Sequence, residues 1–236
     1  MSSKSNLGIF NVSGKTAAKI AGFSLFLMTL AAVFSIFLVF EKVWDRQSIA
    51  KTYNNIVNSG IQFVLSIAGL YFIAILDFVI AWGTYIYFKP VNRILSSLAA
   101  SFRIIYGFIF MYAILLYAEV TQILSQASVL GQSKPEMVMN SLFEFEKMWK
   151  FALIFFAIHL ILLGIVALKS NLMLKITGVL LIIAGFGYLI DSVGYLFVQD
   201  YNLKLAEKVF MGELVLMFWL IIDGFRKKDT FKSHAA

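Results

Sequence analysis

The residues with the clearest capacity for chemistry are ionisable side chains that interrupt apolar stretches. They are Asp77, Arg103, His159, Asp191 and Glu213. A histidine with three carboxylates can bind a divalent metal and activate water, and such groups also relay protons inside membrane proteins. The spacing does not choose between these chemistries, because the groups lie far apart in the chain and no HExxH-type pair is present. We expect an interior polar cluster and no metal site.

Asp191 is the first candidate, because it interrupts an apolar stretch over residues 176–197 that is long enough to cross a bilayer. At 100° per residue, the same helical face carries small and hydroxyl-bearing residues, namely Thr177, Ala184, Gly187, Tyr188, Gly194 and Tyr195. Small residues let neighbouring helices approach closely in lipid, and an ionisable group at that depth faces the interior or a wet cavity. We therefore expect Asp191 to face an interior space.

Arg103 is the second candidate, because it cannot lose its charge and must find a carboxylate, a phosphate or a carbonyl. We expect Arg103 and Asp191 to share one interior space. Asp77, His159 and Glu213 should line or support it. Five ionisable groups are too costly to point at lipid, and a bundle of this size has one interior large enough to hold them. The five residues would then form a ligand-binding site.

A plainer alternative is that these charges only fix helix packing. Asp77 or Asp191 would then pair with Arg103. His159 and Glu213 would hydrogen-bond to tyrosine, serine or backbone groups, and His159 would be neutral. Each charge at the bilayer centre costs about 3 kcal/mol on insertion scales, and pairing recovers part of that cost.

Two further sets of charges are assigned to surfaces. Asp223 is followed three and four residues later by basic side chains, which is typical of local pairing at the end of a helix. Glu144 and Glu146 with Lys147 are interpreted as a solvated face of a connection outside the membrane. We expect neither set to belong to the site.

The composition is that of an integral membrane protein, with 61% hydrophobic and 14% charged residues in 236 positions. The absence of cysteine excludes disulfides, thiolate metal sites and a cysteine nucleophile. The net charge of +7 does not indicate a nucleic-acid partner, because the basic residues flank apolar segments and form no aromatic-interleaved patch. The expected surroundings are the lipid bilayer.

Six stretches have the length and apolar character of membrane-spanning helices. They are residues 21–40, 60–88, 96–124, 151–168, 176–197 and 208–225. The sequence therefore predicts an all-α, polytopic membrane protein with six transmembrane helices. Residues 42–58 have the spacing of an amphipathic segment at the interface, and residues 125–148 are expected to form a partly helical extramembrane connection. Pro90 is expected in the first turn of the third span.

The predicted domain organisation has three parts. Residues 1–16 are expected to be a disordered cytoplasmic lead, residues 17–225 a six-helix transmembrane domain, and residues 226–236 a basic cytoplasmic tail. Six spans place both termini on one side of the membrane. Lysine and arginine are more numerous on that side, which predicts that both termini are cytoplasmic.

Several phrases of the sequence carry a family resemblance. They are KTAAKIAG at 15–22, PVNR at 90–93, AASFR at 99–103, the run from His159 through GVLL at 178–181 to YLIDS at 188–192, and GE at 212–213. In this order they resemble the bacterial membrane-protein family called domain of unknown function 4386. This chain has Leu174 and Lys175 where the family often has Pro-Arg. The resemblance implies a multi-pass protein of the bacterial cytoplasmic membrane and no established activity.

Three classes of function remain open. A ligand-binding or sensory protein needs only a polar pocket, whereas a secondary transporter needs that pocket to open to both sides. An intramembrane metal-dependent hydrolase needs a metal-bound water or a nucleophile. No P-loop, dinucleotide fingerprint, serine elbow or haem ligand pair is present, so no cofactor is expected. The favoured hypothesis is binding of a small or lipidic ligand in a polar cavity without catalysis, and a proton-coupled transporter is the main alternative.

Overall fold

A computed structural model of the chain describes residues 12–125, 133–170, 172–209 and 211–226. These residues are almost entirely helical, and no strand occurs among them. Residues 1–11 of the predicted lead and residues 227–236 of the predicted tail lie outside the described residues. Ser13 caps the first helix by accepting a hydrogen bond from the Thr16 amide, so this helix begins at Gly14, inside the predicted lead.

The helices follow one another with short connections. They are α1 Gly14–Ala32, continued by a π-helix Val33–Phe40 and by α2 Glu41–Val43; α3 Ile49–Ser59; α4 Ile61–Phe88; α5 Arg93–Ser125; α6 Lys134–Leu168; α7 Leu172–Phe197; α8 Ala206–Val209; and α9 Met211–Phe225. Five helical stretches are long and apolar enough to cross a membrane, and the all-helical class is confirmed. The 15 residues of α9 are fewer than the roughly 20 that a spanning helix needs.

The second half of the predicted partly helical connection is helical, whereas the predicted position of Pro90 in the first turn of the third span was wrong. The helix α6 begins at Lys134, so the second half of the predicted connection over residues 125–148 forms its first turns. Pro135 lies in the first turn, where its missing N–H is tolerated, and Glu136 accepts a hydrogen bond from the Ser133 amide at 3.2 Å. Pro90 precedes α5 instead of opening it. The Asn92 side chain caps that helix by accepting a hydrogen bond from the Leu95 amide.

The long helices form a closed ring. Each of α1, α4, α5, α6 and α7 lies against the next in chain order, and α9 closes the ring by contacting both α7 and α1. Large apolar side chains on the outside of the ring are exposed, as a lipid-facing surface requires; examples are Phe37, Ile75, Phe108, Phe186 and Phe218. Lys15 donates hydrogen bonds to the carbonyls of Asp223 and Arg226. The start of α1 and the end of α9 therefore lie together.

The predicted amphipathic segment contains the helix α3. Thr52 and Ile56 face the protein, whereas Ile49 and Val57 are exposed. The Thr52 hydroxyl donates to the Asp45 carbonyl at 2.8 Å, which holds α3 against the end of the first span. The position of α3 at the membrane interface stays a prediction.

Aromatic rings fill the half of the ring that is remote from Gly14 and Phe225. Phe40 lies 5.6 Å from Tyr117 and 5.2 Å from Phe145, centroid to centroid, and Phe63 lies 4.8 Å from Tyr117. Such pairs contribute about 0.5–1.5 kcal/mol each beyond the area that they bury. These contacts join α4, α5 and α6 to the end of the first span.

Facing glycines bring α6 and α7 close together. A Cβ atom at Gly164 would lie 2.6 Å from the Gly178 carbonyl oxygen, and a Cβ atom at Gly178 would lie 2.7 Å from the Gly164 oxygen. Both contacts are with backbone, which cannot move aside as a flexible side chain would. Small residues at this seam therefore set the distance between the two helices.

The substitution Gly178→Leu should lower the free energy of unfolding by about 1–3 kcal/mol, because the added side chain separates α6 from α7. Thermal unfolding in detergent micelles measures the effect. Gly14→Leu is the control, since nothing lies within 4 Å of a Cβ atom at Gly14. Equal melting temperatures for the two variants would contradict the proposed seam.

Candidate functional site

A buried ion pair between α5 and α4 lies at the centre of the ring. The Arg103 Nε atom lies 2.9 Å from Asp77 Oδ1, and Arg103 Nη2 lies 2.7 Å from the same oxygen. Both side chains are only 1% exposed. Asp77 Oδ1 therefore receives two donors from one guanidinium, while the buried Oδ2 atom has no hydrogen-bond partner.

His159 on α6 continues this network. Its Nδ1 atom lies 2.9 Å from the Ala99 carbonyl oxygen, and its Nε2 atom lies 3.2 Å from Arg103 Nη1. A carbonyl only accepts and a guanidinium only donates, so Nδ1 carries the proton and Nε2 carries a lone pair. The imidazole is thus neutral, and both of its ring nitrogens are engaged.

The Arg103 guanidinium also makes two weaker contacts, one with a sulfur atom and one with an aromatic ring. Met28 on α1 places its Sδ atom 3.7 Å from Arg103 Nη2. The Phe156 ring centroid lies 5.3 Å from Arg103 Cζ, within the range of a cation–π interaction. Arg103 therefore has a partner on α1 and on α4 as well as on α6.

Glu213 and Tyr188 lie on the remaining side of the network. Tyr188 on α7 interacts electrostatically with Glu213 in the first turn of α9. Glu213 also interacts electrostatically with Arg103 and Asp77. Each helix of the ring thus supplies one member of a central cluster, which consists of Met28, Asp77, Arg103, His159, Tyr188 and Glu213.

The depth of the cluster follows from helix geometry. At 1.5 Å of rise per residue, Arg103, Asp77 and His159 lie about 14 to 17 Å from the ends of α5, α4 and α6 on the side of Gly14 and Phe225. The hydrocarbon core of a bilayer is about 30 Å thick. The cluster therefore lies near mid-depth in the spans.

Asp191 has other partners than Arg103. Its carboxylate accepts hydrogen bonds from the Tyr201 hydroxyl at 2.7 Å, the Leu205 amide at 2.9 Å and the Ala206 amide at 2.6 Å. These donors belong to the connection that leads into α8 and α9. The sequence left open whether Asp77 or Asp191 pairs with Arg103, and in the structure the partner is Asp77.

The reason is a difference in depth. Asp191 lies about 28 Å along α7 from Leu172, so it is some 12 Å beyond the level of Arg103. Asp191 does interact electrostatically with Tyr188, which links it to the edge of the central cluster. Its direct role is to cap the backbone amides at the start of α8.

The small residues on one face of α7 also allow the connection between α7 and α8 to pack closely against α7. A Cβ atom at Gly187 would collide with Val209, and one at Gly194 would collide with the ring of Tyr201. Burial, and then the hydrogen bond to Asp191, raise the pKa of Tyr201 to about 12, so the phenol remains a donor at neutral pH. Close approach along this face was predicted, and the approaching residues belong to α8 and to the connection that leads into it.

Asp223, which the sequence assigns to local charge pairing at the membrane interface, is buried in the last turn of α9. Asp223 is only 1% exposed, and its Oδ2 atom accepts a hydrogen bond from the Tyr87 hydroxyl at 2.9 Å. The Trp219 indole in turn donates to that hydroxyl at 2.9 Å. Trp219 lies one helical turn before Asp223, so the pattern of a polar aromatic and a carboxylate on one face was the available signal.

Glu146 was also assigned wrongly to a solvated face. It is 7% exposed, lies 2.7 Å from Arg46 Nη2, and accepts a hydrogen bond from the Tyr195 hydroxyl at 2.8 Å. This contact ties the end of the first span to α6 and α7. Leu142 and Phe145 are buried on the same helix, and these apolar positions were the signal that the assignment to an extramembrane connection did not use.

The cluster has a defined chemical character. The donors of Arg103 point at Asp77, His159 and Met28, whereas Asp77 Oδ2 and Glu213 are acceptors. In the part of the chain that the structure describes, no three His, Cys, Asp or Glu side chains are arranged to hold a metal ion. The site is therefore suited to a group that carries hydrogen-bond donors or a positive charge.

Comparison with known proteins places this architecture in a family. The family model described as domain of unknown function DUF4386 matches residues 20–224, which include every member of the central cluster. The chain belongs to the DUF4386 family. A protein of Archaeoglobus fulgidus named only as an uncharacterized protein is 34% identical over 161 residues, which cover 68% of this chain and 85% of that protein. No solved structure matches the chain.

These comparisons fit a DUF4386 membrane protein with several spanning helices. Neither the family description nor the name of the archaeal relative assigns a ligand or an activity. The chemistry of the site must therefore be argued from its geometry.

The substitution Asp77→Asn should lower the free energy of unfolding by about 3–5 kcal/mol, because it leaves the buried Arg103 charge without its counter-ion. Chemical unfolding in detergent micelles measures the effect. The double variant Asp77→Leu with Arg103→Met should recover much of the loss. Lys147→Gln is the control, since it breaks an exposed pair with Glu144 and should cost less than 1 kcal/mol. Equal losses for Asp77→Asn and the control would contradict the assignment.

The substitution Asp191→Ala should destabilise the protein by roughly 1.5–3 kcal/mol, because it removes a charged acceptor from two backbone amides and a phenol. Asp191→Asn keeps one acceptor oxygen and should lie between Ala and the wild type in melting temperature. Glu207→Ala, in the same segment but exposed, should change little. If Asp191→Ala melts like Glu207→Ala, the capping role is refuted.

Proposed function

We propose that this DUF4386 protein is a cytoplasmic-membrane protein that binds a small molecule, or the headgroup of a lipid, at the central cluster without catalysis. The observation that carries the proposal is the Arg103–Asp77 pair, which is fully buried at mid-depth and leaves Asp77 Oδ2 without a donor. Buried ion pairs are rarely a source of stability, because well-packed apolar residues of similar volume are often as favourable or better. A functional requirement explains such a pair better than stability does.

The ligand proposed for this site carries hydrogen-bond donors. The donors of Arg103 are already directed at Asp77 and His159, so an anionic group would have to displace existing partners. A donor, by contrast, would satisfy Asp77 Oδ2 and the Glu213 carboxylate without breaking the ion pair. An amine, an ammonium or a hydroxyl-rich headgroup has this chemistry.

The catalytic alternative has weaker support. A general base or metal ligand at His159 would need a free ring nitrogen, and both nitrogens are occupied by Arg103 and the Ala99 carbonyl. A hydrolase would therefore have to dismantle the network before each reaction. Binding requires no such rearrangement.

A secondary transporter is the second candidate function. The first span contains an eight-residue π-helix, Val33–Phe40, and π-helical segments are rare and are often found at functional sites. Helices with irregular stretches also form the substrate sites of many transporters. A change of α1 between two helical forms would offer a route for alternating access.

For the membrane topology we propose six spans with both termini in the cytoplasm. Residues of α8 and α9 would together form the sixth span, which begins where Asp191 caps the Leu205 and Ala206 amides. The contacts of Lys15 with the carbonyls at the end of α9 support one common side for the start and the end of the bundle. The excess of lysine and arginine on that side supports the cytoplasm.

Single-cysteine labelling tests the topology, and the absence of native cysteine makes each variant unambiguous. In intact cells, a membrane-impermeant maleimide should label Gln47→Cys, because this residue is exposed in the connection before α3. Lys232→Cys should react only after the cells are permeabilised. Labelling of Lys232→Cys in intact cells would overturn the proposed orientation.

Ligand binding should appear as a rise in melting temperature when purified protein is screened against amines and phospholipids. A ligand at 100 times its Kd adds about 2.7 kcal/mol to the stability. Glu213→Gln should abolish the rise, and Glu207→Gln should preserve it. Uptake of the same compound into proteoliposomes would select the transporter, whereas stabilisation without uptake supports binding alone. The proposal fails if the compounds stabilise Glu213→Gln as much as the wild type.

A further inference from the structure

The end of the ring that holds Gly14 and Phe225 carries an excess of basic side chains. Among the described residues, this end has Lys15, Lys19, Lys89, Arg93, Lys169, Lys175 and Arg226. The single acidic side chain that the structure describes there is Asp223, which is buried. At the opposite end both signs of charge occur and form ion pairs such as Lys51–Asp45. The end near the chain termini therefore presents a positive surface.

Three of these cations come together where α1 contacts α9. We call Lys15, Lys19 and Arg226 the basic patch. Lys15 Nζ donates hydrogen bonds to the carbonyl oxygens of Asp223 at 3.2 Å and of Arg226 at 2.6 Å. Lys19 Nζ lies 4.3 Å from the centroid of the Phe225 ring. Both lysines of α1 thus reach the last turn of α9.

Glycines hold α1 and α9 close together at this point. A Cβ atom at Gly224 would lie 3.1 Å from the backbone nitrogen of Lys19, and a Cβ atom at Gly22 would lie 2.9 Å from that of Ile221. Small residues in such contacts let two helix backbones approach closely in lipid. The spacing of the basic patch is therefore set by backbone packing as well as by its own side chains.

Lys19 and Arg226 have no carboxylate partner within the part of the chain that the structure describes. Both contact aromatic rings instead, Lys19 that of Phe225 and Arg226 that of Trp219, at 5.1 Å from Cζ to centroid. A ring face attracts a cation but does not accept its N–H donors as a carboxylate would. Arg226 is exposed and Lys19 is half-buried. An anion from outside the chain can therefore reach both side chains.

The surface beside the basic patch is apolar and exposed. Phe23 lies one turn beyond Lys19 on α1, and its ring packs edge to face against that of Phe225 at 6.4 Å. Phe23 is 47% exposed and Phe225 is 62% exposed, and Ile222, one turn before Arg226, is 54% exposed. In a spanning bundle such side chains face acyl chains. Cations at the end of a span, with exposed apolar side chains next to them, match the two parts of a phospholipid.

We propose that this surface binds an anionic phospholipid, whose phosphate contacts Lys19 and Arg226 and whose acyl chain packs on Phe23 and Phe225. A soluble phosphate would use only the charged half of the surface, and a zwitterionic lipid would bring its own cation to the basic patch. The bound lipid would hold α1 against α9 and so stabilise the closure of the ring. The inference is independent of the proposed binding function, because it involves no member of the central cluster.

Thermal unfolding of the full-length protein in neutral detergent tests the inference, with phosphatidylglycerol and phosphatidylcholine of identical acyl chains as probes. Phosphatidylglycerol should raise the melting temperature at a concentration lower by at least about fivefold, the ratio that one basic side chain near an anionic lipid provides. The double variant Lys19→Gln with Arg226→Gln should lose most of this preference.

The matched control is the double variant Arg93→Gln with Lys169→Gln. It removes the same charge from the same end, but from exposed positions on α5 and α6, across the ring from the basic patch. It should keep the preference for phosphatidylglycerol. The exchanged variant Lys19→Arg with Arg226→Lys should keep it too. If the double glutamine variant does not unfold cooperatively, Arg226→Gln alone, at an exposed position, should still weaken the preference.

The inference is overturned if the wild type responds equally to the two lipids, or if the control pair loses the preference as fully as the patch pair. It is also overturned if glycerol phosphate, which has no acyl chain, stabilises the wild type as well as phosphatidylglycerol does. Glu213→Gln should keep the lipid preference while it loses the response to amines. Loss of the preference in Glu213→Gln would place the lipid at the central cluster, so this inference and the proposed binding function fail separately.

Discussion

The guanidinium of Arg103 imposes the main constraint on this membrane protein. A guanidinium stays charged at any physiological pH, and at mid-depth in a bilayer it has no water to receive its donors. Asp77, His159 and Met28 bring acceptors from three other helices to within hydrogen-bonding reach. The ring must therefore hold α1, α4, α5 and α6 in one relative rotation and depth, because a slip of one turn in any helix would leave the charge unpaired.

Polar contacts at the two ends of the ring support this central layer. Asp223, Tyr87 and Trp219 join α9 to α4 near the chain termini, and Glu146 joins α6 to Arg46 and Tyr195 at the opposite end. Between these two layers of polar contacts, apolar side chains and glycines at the helix–helix contacts set the distances between helices. Interhelical hydrogen bonds in membranes contribute about 0.6 kcal/mol each on average. These bonds therefore matter more for aligning the helices with one another than for the free energy of unfolding. Alignment is what the Arg103 network requires.

The capping of α8 by Asp191 gives the last part of the ring its position. The carboxylate gathers Tyr201 and the first amides of α8, and α9 then begins with Glu213 close to the central cluster. A substitution at Asp191 would alter the central cluster by moving α8 and α9, and not through direct contact with the cluster.

The sequence was sufficient for the all-helical class and for five helices long and apolar enough to span a membrane. It left open whether Asp77 or Asp191 pairs with Arg103, since periodicity defines the face of one helix but not its rotation against the next. The depth difference of about 12 Å was already contained in the rise per residue. The packing of residues 198–205 against α7 could not be predicted, because a connection without hydrophobic periodicity does not indicate which helix it contacts. Glu146 was misplaced because a mixed polar stretch conceals a continuing helix whose buried face is apolar.

The most direct test of the Arg103 network is the protonation state of His159, measured by nitrogen-15 magnetic resonance of histidine-labelled protein. The variant His234→Gln leaves His159 as the single histidine and makes the assignment unique. The network requires a neutral ring with hydrogen on Nδ1 and a lone pair on Nε2 throughout the neutral pH range. An imidazolium, or a neutral ring with hydrogen on Nε2, could not accept a hydrogen bond from Arg103 and would contradict the account.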